Sequence, residues 1–137
     1  MSSQSHDHRV VQPASWPRPS GYSNAIAARG TQLHIAGQIG WDSNRKLSPD
    51  GFLAQARQAL QNIVEVLAAA GGRPEHLVRL TWYVTSRAEY LQEAQALGAI
   101  YRETIGNWFP AMTAIEVSAL MEEGAVIEVE ATAVIPD

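Results

Sequence analysis

The chain has 137 residues, a formal net charge of −4 and no cysteine. A chain of this length builds one domain around its own core, and the lack of thiols excludes disulfides, thiolate catalysis and cysteine-ligated metal sites. Its nine arginines and one lysine are scattered, with only Arg45 and Lys46 adjacent, and none follows Arg102, which argues against the basic face of a nucleic-acid-binding protein.

The N-terminal segment is predicted to lie outside the folded domain. Residues 1–20 are polar and rich in proline, which is typical of a flexible arm, and residues 21–137 are expected to form a single domain. No window approaches the run of about 18 apolar residues that a membrane-spanning helix needs. The first residues also lack the apolar centre of a signal peptide, so we expect a cytoplasmic protein that makes no membrane contact.

The next elements are two strands, a helix and a further strand. Residues 22–28 and 33–38 flank a turn at Gly30 and predict a β-hairpin. An apolar stripe at helical spacing predicts a helix over 51–70, which the following glycines end. Alternating apolar residues predict a strand over 77–84, with Trp82 on its core face.

The last third of the chain predicts a helix followed by two strands. Ser86 and Glu89 form a capping box, and the helix that it opens ends near Gly106. Strands are predicted over 111–117 and 126–134 from their apolar alternation.

The element order is β-β-α-β-α-β-β, which predicts an α+β fold with both amphipathic helices on one face of the sheet. The opposite face is mixed in character and carries His34, Ala36, Gln38, Arg79, Thr81, Tyr83, Met112, Glu128 and Glu130. This face is too polar for a monomer core and too regular for random surface. We therefore expect it, or its rim, to meet other subunits in a closed symmetric oligomer.

Glu128 and Glu130 lie two residues apart on one strand, so both carboxylates project from the same face. Such a carboxylate beside a substrate or water is suited to general acid–base work. The alternative is a solvated strand face, or a partner for Arg79.

The remaining polar and aromatic residues give weaker signals. His6 and His8 resemble a metal tract but are expected to be exposed tail, and no metal-binding spacing occurs elsewhere. The phosphate-loop, dinucleotide and serine-hydrolase motifs are also missing. Trp41 and Trp108 fall in predicted loops, where an aromatic side chain is a candidate wall of a pocket or interface.

Six short segments resemble the RidA/YjgF family of reactive-intermediate deaminases, in order and in spacing, over about residues 20–135. They are Gly21-Tyr22-Ser23, Ala36-Gly37-Gln38-Ile39, the run 55–63, the run 67–71, Phe109-Pro110-Ala111 and the run 126–131. The resemblance implies a chorismate-mutase-like fold with a mixed sheet and a homotrimer with a pocket at each subunit interface. It implies hydrolysis of enamines and imines such as 2-aminoacrylate to 2-oxo acids and ammonia, with no metal and no bound cofactor.

Site residues follow from the resemblance position by position. The family's pocket tyrosine matches Tyr22, and the glutamate that positions the attacking water matches Glu128. The arginine that clamps the substrate carboxylate falls at Met112, which has neither its charge nor its donors. Thr113 is the neighbouring polar group, and Ala36 replaces the serine that precedes Gly-Gln.

The substitution at Met112 leads us to expect a more apolar pocket and a substrate preference that differs from 2-aminoacrylate. The predicted substrate-binding residues are Met112, Thr113, Gln38, Trp108 and Arg79. Arg79 is the candidate for a guanidinium that enters from another strand. The alternative hypothesis is a trimer that holds a small molecule, or acts as a chaperone, without turnover. Ribonuclease activity is a third reading, which the acidic C-terminal third disfavours.

Overall fold

Two β-sheets and three α-helices make up residues 8–137, the part of the chain that this computed structural model describes. The small sheet pairs β1 (Arg9–Val11) with β2 (Ala25–Ala27). The large sheet contains β3 (Thr31–Ile39), β4 (Leu77–Val84), β5 (Ala111–Glu116) and β6 (Ile127–Ile135). The helices are α1 (Phe52–Ala69), α2 (Arg87–Gln92) and α3 (Ala94–Thr104), and a 3₁₀ turn covers Pro74–His76.

The large sheet is mixed and has the strand order β3-β6-β4-β5. β4 and β5 run parallel, whereas β6 is antiparallel to both β3 and β4. The core lies between this sheet and the helices, where α1 packs against β3, β6 and α3. The predicted α+β class, with a mixed sheet and amphipathic helices on one face, is confirmed.

Alternation along the central strands decides which side chains enter the core. Leu80, Trp82 and Val84 of β4 are buried together with Ile127 and Val129 of β6. The helical stripe of α1 meets them with Leu60, Ile63 and Leu67, all fully buried. Because successive strand residues point to opposite faces, the residues between them, including Glu128, lie on the face that the helices do not cover.

The predicted hairpin between residues 22–28 and 33–38 is wrong. β2 pairs with β1, and β3 pairs along its length with β6. A three-residue strand offers few ladder bonds, while β6 offers nine residues with apolar partners such as Ala131 opposite Ile35. Gly30 permits this pairing, since a side chain there would overlap the carbonyl of Ile135.

The described part of the expected arm is partly held in place. His8 is buried, and its Nε2 donates a hydrogen bond to the His76 carbonyl at 3.1 Å. The next three residues form β1 against β2. The exposed tail predicted for His8 is therefore wrong, while His6 and the rest of residues 1–7 lie outside the described residues.

The second predicted helix is divided in two. Ser86 caps α2 by accepting a hydrogen bond from the Glu89 amide at 3.1 Å, as its capping box predicts. Glu93, with ψ near 10°, then separates α2 from α3. Over residues 8–137, no helix is long and apolar enough to cross a membrane.

Gln55 joins the start of α1 to the segment that leads into β6. Its side chain is 4% exposed, donates to the Gly124 carbonyl at 3.0 Å and accepts from the Val126 amide at 2.9 Å. These bonds help to set where β6, and with it Glu128, enters the sheet.

Replacing Gln55 with Leu is expected to lower the free energy of unfolding by about 1–3 kcal/mol, because it leaves backbone groups at Gly124 and Val126 without their partner. Urea denaturation monitored by circular dichroism measures this change. The matched control is Gln61→Leu on the exposed side of the same helix, which should stay within about 0.5 kcal/mol. Equal effects of the two substitutions would contradict the role assigned to Gln55.

Candidate functional site

A cavity of about 700 Å³ opens on the helix-covered side of the sheet, between α2, α3, β5 and the segment before β2. Its lining is largely aromatic and apolar, with a few polar groups. The lining residues are Ser20, Gly21, Tyr22, Trp82, Tyr90, Ala94, Gln95, Leu97, Gly98, Tyr101, Arg102, Phe109, Met112, Thr113 and Ala114. A concave apolar site with few polar groups is the usual form of a small-molecule pocket.

Tyr22 is held at the mouth of the cavity by its neighbour Ser23. The Ser23 amide donates to the Pro110 carbonyl at 3.0 Å, and its hydroxyl donates to the Phe109 carbonyl. Ser23 also forms a parallel bridge with Ala111. These contacts fix the segment beside the start of β5, while the Tyr22 ring stays 43% exposed.

Met112 lies on the helix-covered side and not on the polar face where the alternation along the sequence placed it. The parallel register pairs Met112 with Leu80 and Ala114 with Trp82. Residues paired in register share a face of the sheet, so Met112 packs against the core and lines the cavity. Strand spacing alone does not specify this register, which depends on how β5 returns to β4.

Tyr101 and Phe109 form one wall of the cavity. Their rings stack with centroids 5.3 Å apart, and the Tyr101 hydroxyl donates to the Trp108 carbonyl. Burial raises the pKa of Tyr101, and it also raises the pKa of Tyr90. Both phenols are therefore uncharged at neutral pH.

Trp108 does not line this cavity. Its indole N–H donates to the Leu77 carbonyl at 2.7 Å, and its ring packs edge-on against His8. The aromatic side chain that sequence analysis placed in a pocket wall therefore anchors the start of β4 in this chain.

The glutamates occupy the opposite face of the sheet. The Glu128 carboxylate lies directly over Gly37, where a Cβ would overlap it. Glu130 accepts a hydrogen bond from the Tyr83 hydroxyl at 2.6 Å. This hydrogen bond, with the nearby carboxylates, raises the pKa of Tyr83.

Gly37 belongs to a bulge in β3, since the pairing with β6 shifts between Ile35 and Gln38. The Gln38 side chain turns back to donate to the Ala36 carbonyl at 3.1 Å and does not reach the cavity. The close approach of the Glu128 side chain explains the glycine within the Ala36-Gly37-Gln38 segment.

The structure brings together Tyr22, Met112 and Thr113 but not the other predicted site residues of the same chain. Glu128 and Arg79 do not line the cavity, and Arg79 pairs with Thr132 and Ala111 on the sheet. Sequence analysis missed Arg102, which does line it. One sequence pattern could have indicated Arg102: it follows Gly98 by four residues, which places the two one turn apart on the same helix face.

The two faces offer different chemistry. The cavity presents one side chain that is charged at neutral pH, Arg102, among aromatic walls, which suits a molecule with an anionic group and an apolar body. The opposite face presents carboxylates that can accept or donate a proton. Within residues 8–137, no three His, Asp or Glu side chains come close enough to hold a metal ion.

Known proteins resemble this chain over nearly its whole length. The family model described as endoribonuclease L-PSP matches residues 15–135. A 2-iminobutanoate/2-iminopropanoate deaminase of Homo sapiens is 35% identical over 128 residues, covering 92% of this chain and 89% of that protein. A RutC family protein of Pyrococcus horikoshii is 37% identical over 126 residues, covering 90% of this chain and 95% of that one.

Solved structures show the same fold. A protein of unknown function of the Rid family from Yersinia pestis superposes with a TM-score of 0.78 at 38% identity, covering 93% of this chain and 98% of that one. A member of the YjgF family from Mycobacterium tuberculosis superposes with a TM-score of 0.64 at 31% identity, covering 84% and 87%.

Proposed function

The chain belongs to the endoribonuclease L-PSP family, the RidA/YjgF family of the sequence analysis, and we propose that it hydrolyses imines or enamines of amino acids to carbonyl compounds and ammonia. The family is of the imine deaminase or L-PSP endoribonuclease type. The human relative is named for imine deamination.

One observation carries the proposal: a substrate-sized cavity and an available carboxylate lie on opposite faces of the same sheet. The cavity lining includes no Asp or Glu. Glu128, which the family resemblance assigns to the attacking water, lies over Gly37 on the uncovered face. A site that needs both must be completed by a second copy of the chain.

We therefore propose a homotrimer in which the uncovered sheet face of one copy closes the cavity of the next. β5 is an edge strand of the large sheet, and its residues from Thr113 to Glu116 are exposed. Ile115 on this strand is 43% exposed. An edge strand with exposed apolar side chains tends to pair with another chain. The cavity mouth is lined from this same strand, so contact along it would enclose the pocket.

The proposed reaction is a hydrolysis that needs only water. Glu128 of the second copy accepts a proton from water as the water oxygen forms a bond to the imine carbon. Glu128 passes this proton to the imine nitrogen, which gives a neutral carbinolamine. The carbinolamine hydroxyl then transfers its proton through Glu128 to the amino nitrogen as the carbon–nitrogen bond breaks, so that the carbonyl group forms and ammonia leaves. Tyr22 contacts the substrate at the mouth, and Met112 and Thr113 shape the pocket.

Ribonuclease activity, which the name of the family model suggests, is not favoured by the charge distribution. The chain carries a net charge of −4, and its Lys and Arg residues are spread along the sequence, with only Arg45 and Lys46 adjacent. Neutralising several phosphates requires a cluster of Lys and Arg.

An imine-trapping assay tests the proposed function. An amino-acid oxidase generates the 2-imino acid from alanine, leucine or phenylalanine, and semicarbazide traps it as an ultraviolet-absorbing semicarbazone. We expect the protein to lower the rate of semicarbazone formation in proportion to its concentration, because hydrolysis competes with trapping. Equilibrium sedimentation should give the mass of three chains.

Two outcomes would contradict the proposal. Ligand binding without an effect on any of the imines would support a non-catalytic binding protein. A monomer that hydrolyses imines would contradict the site shared between copies.

A further inference from the structure

We propose that Arg102 recognises the carboxylate of the substrate, and that the cavity selects 2-imino acids with a large apolar or aromatic side chain. The inference rests on the proposed function and specifies its substrate class. In this chain the cation comes from a helix and not from the strand position that Met112 occupies.

Arg102 reaches the cavity by lying back along α3. It belongs to the last turn of the helix, and its Nη1 atom lies 3.5 Å from the position that a Cβ on Gly98 would occupy. Helical side chains point toward the preceding turn, and this distance places the guanidinium in van der Waals contact with the helix surface at Gly98. Both residues line the cavity.

The guanidinium has no partner within the described chain. The two ion pairs found in residues 8–137 are Arg57–Glu103 at 2.6 Å and Arg73–Glu75 at 3.3 Å. The acidic neighbour of Arg102 is thus engaged elsewhere, and the lining contains no carboxylate. An arginine is always charged and offers five donors in a planar fork that matches a carboxylate.

Arg102 is exposed to solvent, and Trp82, Leu97, Phe109 and Met112 line the same cavity. A ligand that fills the cavity would exclude water from around the guanidinium, and the lower local dielectric constant would increase the attraction between opposite charges. The alternative role for a basic residue in a last helical turn is to complement the helix dipole. That role does not depend on the charge of any ligand, so the two can be distinguished.

The position of the charge defines the substrate class. With the cation on α3, the strand side of the cavity is mainly apolar: Met112, Ala114 and Trp82 line it, with Thr113 as its polar side chain. A carboxylate held by Arg102 leaves the rest of the ligand against these groups and the stacked rings of Tyr101 and Phe109. A small imino acid would leave much of this surface without contacts, whereas an aromatic one would cover it.

A binding experiment on the full chain in its solution assembly tests the charge recognition. The probes are 3-phenylpropanoate and its neutral amide, with dissociation constants from isothermal titration calorimetry. We expect Arg102→Gln to weaken binding of the carboxylate about 10- to 100-fold and to leave the amide unchanged, because only charge-assisted hydrogen bonds are lost. Arg102→Lys should retain part of the preference. The control Arg73→Gln removes an equal charge outside the cavity and should change neither constant.

A second measurement addresses the substrate class. In the trapping assay, the wild-type protein should hydrolyse the imine made from phenylalanine faster than the imine made from alanine. Arg102→Gln should reduce hydrolysis of the phenylalanine-derived imine mainly through KM.

The two experiments separate the inference from the proposed function. Equal affinity of the wild-type protein for acid and amide, or an unchanged preference in Arg102→Gln, would overturn the role of Arg102. A preference for the alanine-derived imine would overturn the substrate class. Arg102-dependent binding without hydrolysis of any imine would support the anion site and refute the deaminase.

Discussion

Replacing Glu128 with Gln is expected to slow imine hydrolysis by about 10²- to 10⁴-fold, the range that a positioned general acid–base group contributes. The amide keeps the size of the side chain but cannot accept the proton of the attacking water. Because the proposed partner of Glu128 is the attacking water and not the substrate carboxylate, binding of 3-phenylpropanoate should change by less than about tenfold. The trapping assay and calorimetry measure the two effects separately.

Glu130→Gln is the matched control for this prediction. It makes the same change of charge on the same strand and face, but the Glu130 carboxylate is engaged by the Tyr83 hydroxyl. We expect it to retain most of the activity. Equal losses of hydrolysis in the two variants would show that the reaction depends on the total negative charge of this sheet face. That result would contradict a specific role for Glu128.

Gly37→Ala is expected to reduce hydrolysis by about 10²-fold or more while the chain still folds, because its methyl group takes the space of the Glu128 carboxylate. The atoms that it would overlap belong to the end of a flexible side chain, so Glu128 can swing aside with little effect on the backbone. We therefore expect the midpoint temperature of thermal denaturation to stay close to that of the wild-type protein while the rate of hydrolysis falls.

A double-mutant cycle checks that the Gly37 effect acts through Glu128. Gly37→Ala should cost little further activity when Glu128 is already Gln, because the displaced carboxylate is then absent. Independent losses in the two backgrounds would indicate that Gly37 affects hydrolysis by another route.

The proposed site between two copies would explain why sequence reasoning assembled residues that one chain keeps apart. The family resemblance assigns Tyr22 and Glu128 to one pocket, yet Tyr22 lines the cavity on one side of the sheet and Glu128 lies on the other. A single sequence does not state which copy contributes a residue. The proposed trimer reconciles the two placements.

The position of Arg79 illustrates a second limit of sequence reasoning. The alternation along β4 favours Arg79 as the source of the guanidinium, because it places this residue on the polar face of the sheet. Arg102 lines the cavity because α3 and β5 form walls of the same cavity. Contacts between a helix and a strand edge follow from packing and not from local periodicity.

Local patterns along the chain are enough to predict several helices and strands of this protein. The apolar stripe of 51–70, the capping box at Ser86 and the alternation along 77–84 specify α1, the start of α2 and β4, because backbone geometry and burial of one face act over a few residues. Tertiary structure alone decided the pairing of β3 with β6, the register that turns Met112 inward and the entry of Arg102 into the cavity. These features depend on contacts between residues far apart in the chain, whose relative positions no local pattern specifies.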